Sequence, residues 1–313
     1  MTYVETIKRG NKRYYYLTKN MRISVNKWKK IRVFLGGVKP SKALLGKTTR
    51  EIEERSKALV KKSAYAYLSE HDAETVKDLK EGYNEWQKHT PVSVQKKLYE
   101  DFVIRFTYNS NAIEGNRLTL RQTALILKDK VIPSGVRARD YNEAVNGKEC
   151  MDFLKQYKGE LNDSFLEKIN GILTKNTDVV YGGRIRFFDV KIEGSKHTPL
   201  KHEEVKAHLL NLYKWYSANK NKLHPFEFAA LIHAKLTWIH PFEDGNGRTA
   251  RAVMNYILMK REYPMFFIPS EQKEKYYLAL EKADRDDYKG YVADMIDLII
   301  DQIRSYGHKK KKE

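Results

Sequence analysis

The sequence predicts a mainly α-helical protein that opens with a small β module and carries one hairpin among its helices. Three observations predict this. From about residue 49 onward, apolar residues recur at helical spacing in one segment after another. Between residues 11 and 35, aromatic and β-branched residues mix with cations in short runs bounded by turn formers. The segment GGRIRFFDVKIEGSKHTPL, Gly182 to Leu200, then interrupts the helical run with glycines, an alternation and a proline. At 313 residues and 41% hydrophobic content the chain can bury a large core. No apolar run approaches the roughly 18 residues of a membrane span, and MTYVETIKRGNKRYYY has no signal-peptide core. The single cysteine, Cys150, excludes an internal disulfide and fits a reducing compartment. A cytoplasmic protein with no membrane partner is expected.

The first residues carry most of the charge. Residues 1–50 hold fourteen Lys or Arg and one Glu, a net +13 of the chain's +19. Such a block suits nucleic acid or another acidic surface, or it is a solvated, solubilising face. Strands are expected around RYYYL, MRISV and KKIRVFL, with turns near Asn20 and Asn26 and a stop at Gly36 and Gly37. Tyr14, Tyr15, Tyr16 and Trp28 lie among the cations, where they could stack on bases as a small sheet does in a DNA groove. Alternatively they cover a helix packed on the sheet, which the lack of a base-reading motif favours. Helices follow at about 49–70 and 75–88; Val76, Leu79, Tyr83 and Trp86 form a stripe that reads as core or a dimer seam.

A helix over about 94–108 leads into TYNSNAIEGN. Helices at 119–130, 138–157 and 163–176 follow, broken by Pro133, Ser134 and Gly135, with Asn142 and Asn146 expected on the surface. In the interrupting segment, Val190 and Ile192 alternate with Lys191, Gly194 and Ser195 turn the chain, and Pro199 ends it, which is hairpin grammar. His197 reads as a turn or packing residue. An amphipathic helix spans 202–219. His224-Pro225 starts a nearly all-apolar helix ending at Trp238, within which His233 should be a hydrogen-bonded interior histidine. Ser270 caps a helix containing Tyr276 and Tyr277, an apolar helix runs from about 288 to 304, and HKKKKE closes the chain.

The chemistry concentrates in HPFEDGNGRTAR, His240 to Arg251. Gly245 and Gly247 lack a Cβ, so the backbone can take positive φ and turn its N–H groups toward an anion. A helix starting at about Arg248 would aim its free N–H groups and dipole at the same place. Arg248 and Arg251, three apart, could grip one phosphate chain with forked donors. Asp244 is placed to hold a magnesium ion bridging phosphate oxygens. A neutral His240 could take a proton from an incoming hydroxyl. The bland alternative is a polar connection between two helices, with the proline and glycines as turn formers. The earlier HPF at His224 lacks the acid, glycines and arginines, and reads as an ordinary helix start.

This stretch resembles the signature of the Fic domain family, HPFx(D/E)GN(G/K)RxxR, at every defined position, and the resemblance extends over roughly residues 95–303. It implies a helical Fic domain at 94–304, preceded by a basic β module at 1–48 and a helical linker region at 49–93, and followed by a basic tail at 305–313. It implies transfer of AMP from Mg²⁺-bound ATP to a Ser, Thr or Tyr hydroxyl of a target protein, the chain itself included. His240 would be the base and Asp244 the metal ligand, with Gly245, Asn246, Gly247, Arg248 and Arg251 on the phosphates and Tyr276 or Tyr277 beside the adenine. Val190, Lys191 and Ile192 would form a flap that holds the target segment as an added strand. Ser110, Glu114 and Gly115 fit the family's inhibitory pattern within 110–116, in which the glutamate pairs with the second arginine, here Arg251. The family commonly has Asn where this chain has Asp284, which accepts but cannot donate unless protonated, so nucleotide choice stays open. The resemblance also allows a bifunctional enzyme that also or mainly removes AMP, with the glutamate positioning water, and a homodimer. A reading from another class is a DNA-binding regulator that uses the site as a nucleotide sensor.

Overall fold

Arg9 pairs opposite Lys12, so Gly10 and Asn11 alone turn the first strand into the second, and Gly10 takes the φ of 59° that such a turn requires. The computed structural model describes residues 2–24, 27–59, 65–191 and 198–309, and it divides into two units, Met1–Ala64 and Tyr65–Glu313. The first unit is an antiparallel sheet ordered β1 (Thr2–Arg9), β2 (Lys12–Ser24), β3 (Lys27–Gly36), followed by α1 (Lys42–Leu59). The expected turn at Asn20 is absent: Asn20 pairs with Lys30 inside a continuous β2, and the additional strand is β1. Asn26 lies outside the described residues. Leu17, Ile31 and Leu35 on one sheet face bury against Ile52 of α1, with Tyr15, Val33 and Leu45 around them. Full burial of such side chains stabilises by roughly 1.5–3 kcal/mol each. The boundary expected at 48/49 falls inside α1, because Leu45 and Ile52 lie on one helical face and share this small core. Tyr15 joins that core, whereas Tyr14 and Tyr16 gather around Phe34 on the opposite face.

The second unit is helical: α2 (Glu70–His89), α3 (Val92–Ile113), α4 (Leu120–Ala124) running on as a π turn to Asp129, α5 (Ala138–Gln156), α6 (Asp163–Leu173), α7 (His202–Asn219), α8 (Pro225–Ile239), α9 (Asn246–Lys260), α10 (Lys273–Asp284) and α11 (Tyr288–Lys309). Capping boxes fix several starts, Ser69 with Asp72 on α2 and Thr119 with Gln122 on α4. His224 caps α8 with Pro225 in its first turn, as the sequence indicates. Eleven of the fifteen residues of α8 are buried, which makes it the central helix; α7, α9, α10 and α11 pack around it. Val76 belongs to the main core with Leu79 against it, while Tyr83 stacks on Trp86 at its margin. Asn146 is not the surface residue expected, whereas Asn142 is half-buried. Asn146 is buried, and their amides donate to the Asn176, Leu173 and Lys175 carbonyls that the end of α6 leaves open. Among the described residues no strand lies outside the first unit, and no helix is long and apolar enough to cross a membrane. Val190 and Lys191 have no regular structure; Ile192, Gly194, Ser195 and His197 of the expected hairpin lie outside the described residues.

Candidate active site

The apolar run of α8 ends at His240, whose backbone turns left-handed (φ 52°, ψ 60°) while its N–H still bonds the Leu236 carbonyl. A non-glycine residue there stores about 1 kcal/mol or more of strain, which the buried surroundings sustain. His240 Nδ1 lies 3.4 Å from the Thr237 carbonyl. Donation from Nδ1 selects the tautomer in which Nε2 carries the lone pair. Pro241 and Phe242 then bury, and Asn246 clamps the loop: its Oδ1 accepts from Phe242 N and its Nδ2 donates to Phe242 O, both at 2.9 Å. Asn246, expected on the phosphates, therefore directs both ends of its amide at the backbone. Gly245, at φ 75°, precedes α9, and a Cβ there would press on Asn170 Nδ2 and Thr174 Cγ2 at 3.0 and 3.1 Å. Only glycine lets the backbone pass so close, and α9 starts behind it with its first N–H groups and dipole toward the loop.

The two motif arginines bracket this helix start, each 2% exposed. Arg248 Nη2 donates to Asp244 Oδ2 at 3.1 Å, and its Nη1 lies 3.0 Å from Glu143 Oε1 on α5. Arg248 Nε and Nη1 are buried without a hydrogen-bond acceptor in suitable geometry among the described residues. Asp244 also receives Arg139 Nη2 at 3.3 Å and the Gly245 N–H. Burial pushes its carboxyl up, but the Arg248 charge, the Gly245 N–H and Arg139 outweigh that, so it sits below the usual carboxylate range. An ionised, 39% exposed carboxylate beside a helix start fits a hard cation that takes its other ligands from phosphate oxygens and water.

Arg251 turns the other way, toward the end of α3. Its Nε donates to Ser110 Oγ at 3.0 Å, and its Nη2 to the Ser110 carbonyl at 2.9 Å and to Glu114 Oε1 at 2.7 Å. Gly115, at φ 92°, ends the helix just after Glu114 and lets it cap there. A Cβ on Gly247 would overlap Glu114 Oε1, so the carboxylate lies directly over the glycine loop. Burial alone would lower the Arg251 pKa, but Glu114, with Tyr276 beside it, more than restores it.

Behind Arg251 runs a polarised chain whose direction is fixed by counting protons. Tyr291 gives its one hydroxyl proton to the Ala230 carbonyl at 3.0 Å, so it accepts from His233 Nδ1 at 2.8 Å. His233 Nε2 is then bare and accepts from Tyr276 at 3.0 Å, and the Tyr276 oxygen accepts from Arg251 Nη1 at 3.4 Å. Burial, and then the Arg251 charge, push the His233 imidazolium down to about 3, which keeps it neutral as the chain requires. His233 is thus the interior histidine the sequence indicates, and Tyr276 belongs to the arginine's support. Tyr277 is the outward member of the pair, 37% exposed, with its hydroxyl 3.4 Å from the Ile113 carbonyl.

Four residues of this site escape sequence reasoning. Arg186 buries its guanidinium and donates to the carbonyls of His240 (2.8 Å), Phe188 (3.1 Å) and Leu200 (2.5 Å), while its N–H bonds Pro241 O. Asn170 joins Asp244 O to Gly183 N. Arg139 and the buried Glu143 complete the ion-pair cluster, with Asn116 Nδ2 on Glu143 Oε2 at 2.8 Å. Local sequence carries little signal for them: Arg139 and Glu143 read as ordinary surface charges of α5, Asn170 as a polar residue in an apolar helix, and Arg186 as one cation of a glycine-bounded loop. Val190 is half-buried and Lys191 exposed beside the Arg186 anchor.

The Fic/DOC family model matches residues 160–258. The protein adenylyltransferase fic-1 of Caenorhabditis elegans is 32% identical over 225 residues, 70% of this chain and 43% of its own length. The protein adenylyltransferase Fic of Drosophila melanogaster is 32% identical over 215 residues, 65% of this chain and 42% of its own. The chain thus spans less than half the length of these curated relatives. Among solved structures, a Fic domain containing signalling protein from Bacteroides thetaiotaomicron is 30% identical with a TM-score of 0.66, covering 72% of this chain and 92% of that one. Fic-1 of C. elegans superposes with a TM-score of 0.65 at 27% identity over 84% and 74% of the two chains. With the signature loop, its helix start and the arginine–glutamate pair all in place, this chain belongs to the Fic/DOC family.

Proposed function

We propose that the chain transfers AMP from ATP to a Ser, Thr or Tyr hydroxyl of a protein, with magnesium, and that Glu114 restrains the reaction. The target oxygen attacks the α-phosphorus as the bond to the β-phosphate's bridging oxygen breaks, so a phosphodiester forms and pyrophosphate leaves. His240 Nε2 takes the hydroxyl proton, a role typically worth about 10²–10⁴ in rate. The α9 start, the Gly245 and Gly247 amides, Arg248 and Arg251 stabilise the phosphate charge. Asp244 would hold Mg²⁺, which neutralises charge on the phosphate oxygens. Tyr277, outward beside the Ile113 carbonyl, is the ring available to a base. The observation that carries this reading is Arg251, buried at the α9 start with Glu114 as its 2.7 Å counter-charge over Gly247. The adenylyltransferase names of the relatives support it.

Glu114 is 31% exposed, open enough to orient a water, and that favours a second reading in which the same site removes AMP from a modified protein. One experiment distinguishes the two. Label from α-labelled ATP is followed into the purified chain and a lysate for wild type, Glu114→Gly, and Glu114→Gly with His240→Ala, with GTP, CTP and UTP in parallel because of Asp284. Label that appears with Glu114→Gly and disappears in the double variant supports transfer. No label in any form, with release of AMP from a modified protein by wild type, replaces it with removal.

A further inference from the structure

The outer face of the N-terminal sheet has no role in the reading above, and its chemistry is unusual for a solvated face. Strand alternation and the observed register put Tyr3, Glu5, Ile7 and Arg9 of β1, Lys12, Tyr14, Tyr16 and Thr18 of β2, and Lys30, Arg32 and Phe34 of β3 on that side. α1 covers the other side, where Leu17, Ile31 and Leu35 are buried. Phe34 is 56% exposed, with Tyr16 and Tyr14 rings 5.2 and 6.2 Å from it, and Tyr3 is 41% exposed. Tyr14, Tyr16 and Phe34 therefore cluster at the middle of the sheet, and Tyr3 stands on β1 in the row of Thr18 and Arg32. Arg9 and Lys12 lie at the sheet's hairpin end, and Lys30 and Arg32 at the other. The only acid of the first fifty residues, Glu5, sits in the row of Tyr16 and Phe34 and accepts from Lys30 Nζ (2.7 Å), Arg32 Nε (2.8 Å) and Arg32 Nη2 (2.9 Å), which holds those two cations on this face.

We propose that this face binds single-stranded nucleic acid, stacking unpaired bases on Phe34, Tyr16 and Tyr3 while Arg9, Lys12, Lys30 and Arg32 take the flanking phosphates. Partly exposed rings on a sheet face that carries cations at both ends match a polymer with alternating π-faces and anions. A duplex hides its base faces and would engage the cations but not Phe34. An acidic protein surface would likewise gain little from the rings. This inference stands on the first unit alone and does not depend on what the Fic site does.

The test uses the full chain and anisotropy of a fluorescein-labelled mixed-sequence DNA oligonucleotide, single-stranded or annealed to its complement, at several salt concentrations. Wild type should prefer the single strand. Phe34→Ala should weaken single-strand binding roughly 5- to 150-fold, the range of one lost base–aromatic stack, while Phe34→Tyr keeps most of it. Arg9→Ser with Lys12→Ser should lower the logarithmic salt slope by about 0.7 per cation removed. Phe34 is largely exposed, so its truncation leaves the sheet core intact. No single-strand binding at 50 mM salt by folded protein would overturn the proposal. Equal affinity of wild type and Phe34→Ala, or a preference for the duplex, would overturn it too and leave an electrostatic or groove-binding surface instead.

Discussion

Replacing Glu114 by Gly should tighten nucleotide binding and loosen the fold at once. Arg251 is 2% exposed, and Glu114 is its one acidic partner within ion-pair distance among the described residues, at 2.7 Å. A charge-assisted hydrogen bond of this kind is worth about 1.5–3 kcal/mol. If a phosphate must displace Glu114 to reach Arg251, the wild-type dissociation constant carries that equilibrium as a factor. Its removal should lower the apparent Kd for Mg-ATP roughly 10- to 150-fold. Without ligand the same change leaves a buried guanidinium short of its counter-charge, so the variant should be less stable by an amount of similar size. Calorimetric titration with Mg-ATP and thermal unfolding with and without nucleotide measure both effects. The gain in affinity should vanish when Arg251→Ala is added, since the coupling belongs to that pair. Unchanged ATP affinity in a folded Glu114→Gly protein would refute the idea that the carboxylate and the phosphate compete for one arginine.

The remaining predictions concern the supports. Tyr276→Phe removes the donor to His233 Nε2 and the acceptor of Arg251 Nη1, so it should cost about 1–3 kcal/mol of stability by urea unfolding and raise KM for ATP. Arg186→Met frees the carbonyls of His240, Phe188 and Leu200. It should lower kcat for AMP transfer by at least tenfold with little change in ATP affinity; a drop in affinity alone would place Arg186 elsewhere in the reaction. His233 has a folded pKa of about 3 against an ordinary 6.5, so the unfolded chain binds the extra proton. Stability is therefore complete above pH 6.5 and declines as pH falls toward 3, by about 2 kcal/mol at pH 5 from this residue. His224, lowered to about 4 by burial, adds in the same direction. A flat urea midpoint between pH 7 and pH 5 in wild type would contradict this.

The helices were legible because their signals are local. Apolar period and breakers such as Pro133 and Gly135 locate α3 through α11 to within a few residues, whereas the Ser69 cap escapes them: the expected helix before it runs on to about 70, and α2 is expected to start five residues late. The sheet was less so. Asn20 is a turn former by composition, yet cross-strand pairing with Lys30 holds it in a strand, while the Gly10-Asn11 turn that does exist sits in a strongly charged segment whose period-2 pattern is faint. A turn residue proposes a turn, and pairing of the flanking strands decides. The loop from His240 to Arg251 announced its glycines, acid and arginines as a set, but sequence spacing suggested that Arg248 and Arg251 point together. Three residues along a helix is a 300° step, and what each arginine meets is set by other helices: Glu143 on α5 for one, Ser110, Glu114 and Tyr276 for the other.

Arg248 is tied to Asp244 and Glu143, and Arg139 to the same two and to Asp178, a group of two cations and three carboxylates in which the arginines hold the proposed metal ligand in its ionised form. Arg251 has Glu114 as its opposing charge and is otherwise held by neutral groups, the Ser110 hydroxyl and carbonyl and the Tyr276 hydroxyl. Those neutral contacts fix where the guanidinium sits without neutralising it. An anion that arrives at the α9 start therefore finds one arginine already compensated and one whose charge is held by a single, partly exposed carboxylate. Exchange of that carboxylate for a phosphate then calls for the Glu114 side chain to leave Gly247, with the Ser110 and Tyr276 contacts still available to hold the guanidinium. If so, Glu114→Gln, which keeps the shape but not the charge, should raise ATP affinity nearly as far as Glu114→Gly does. An effect confined to the glycine variant would instead mean that the space over Gly247, and not the charge on Arg251, is what Glu114 controls.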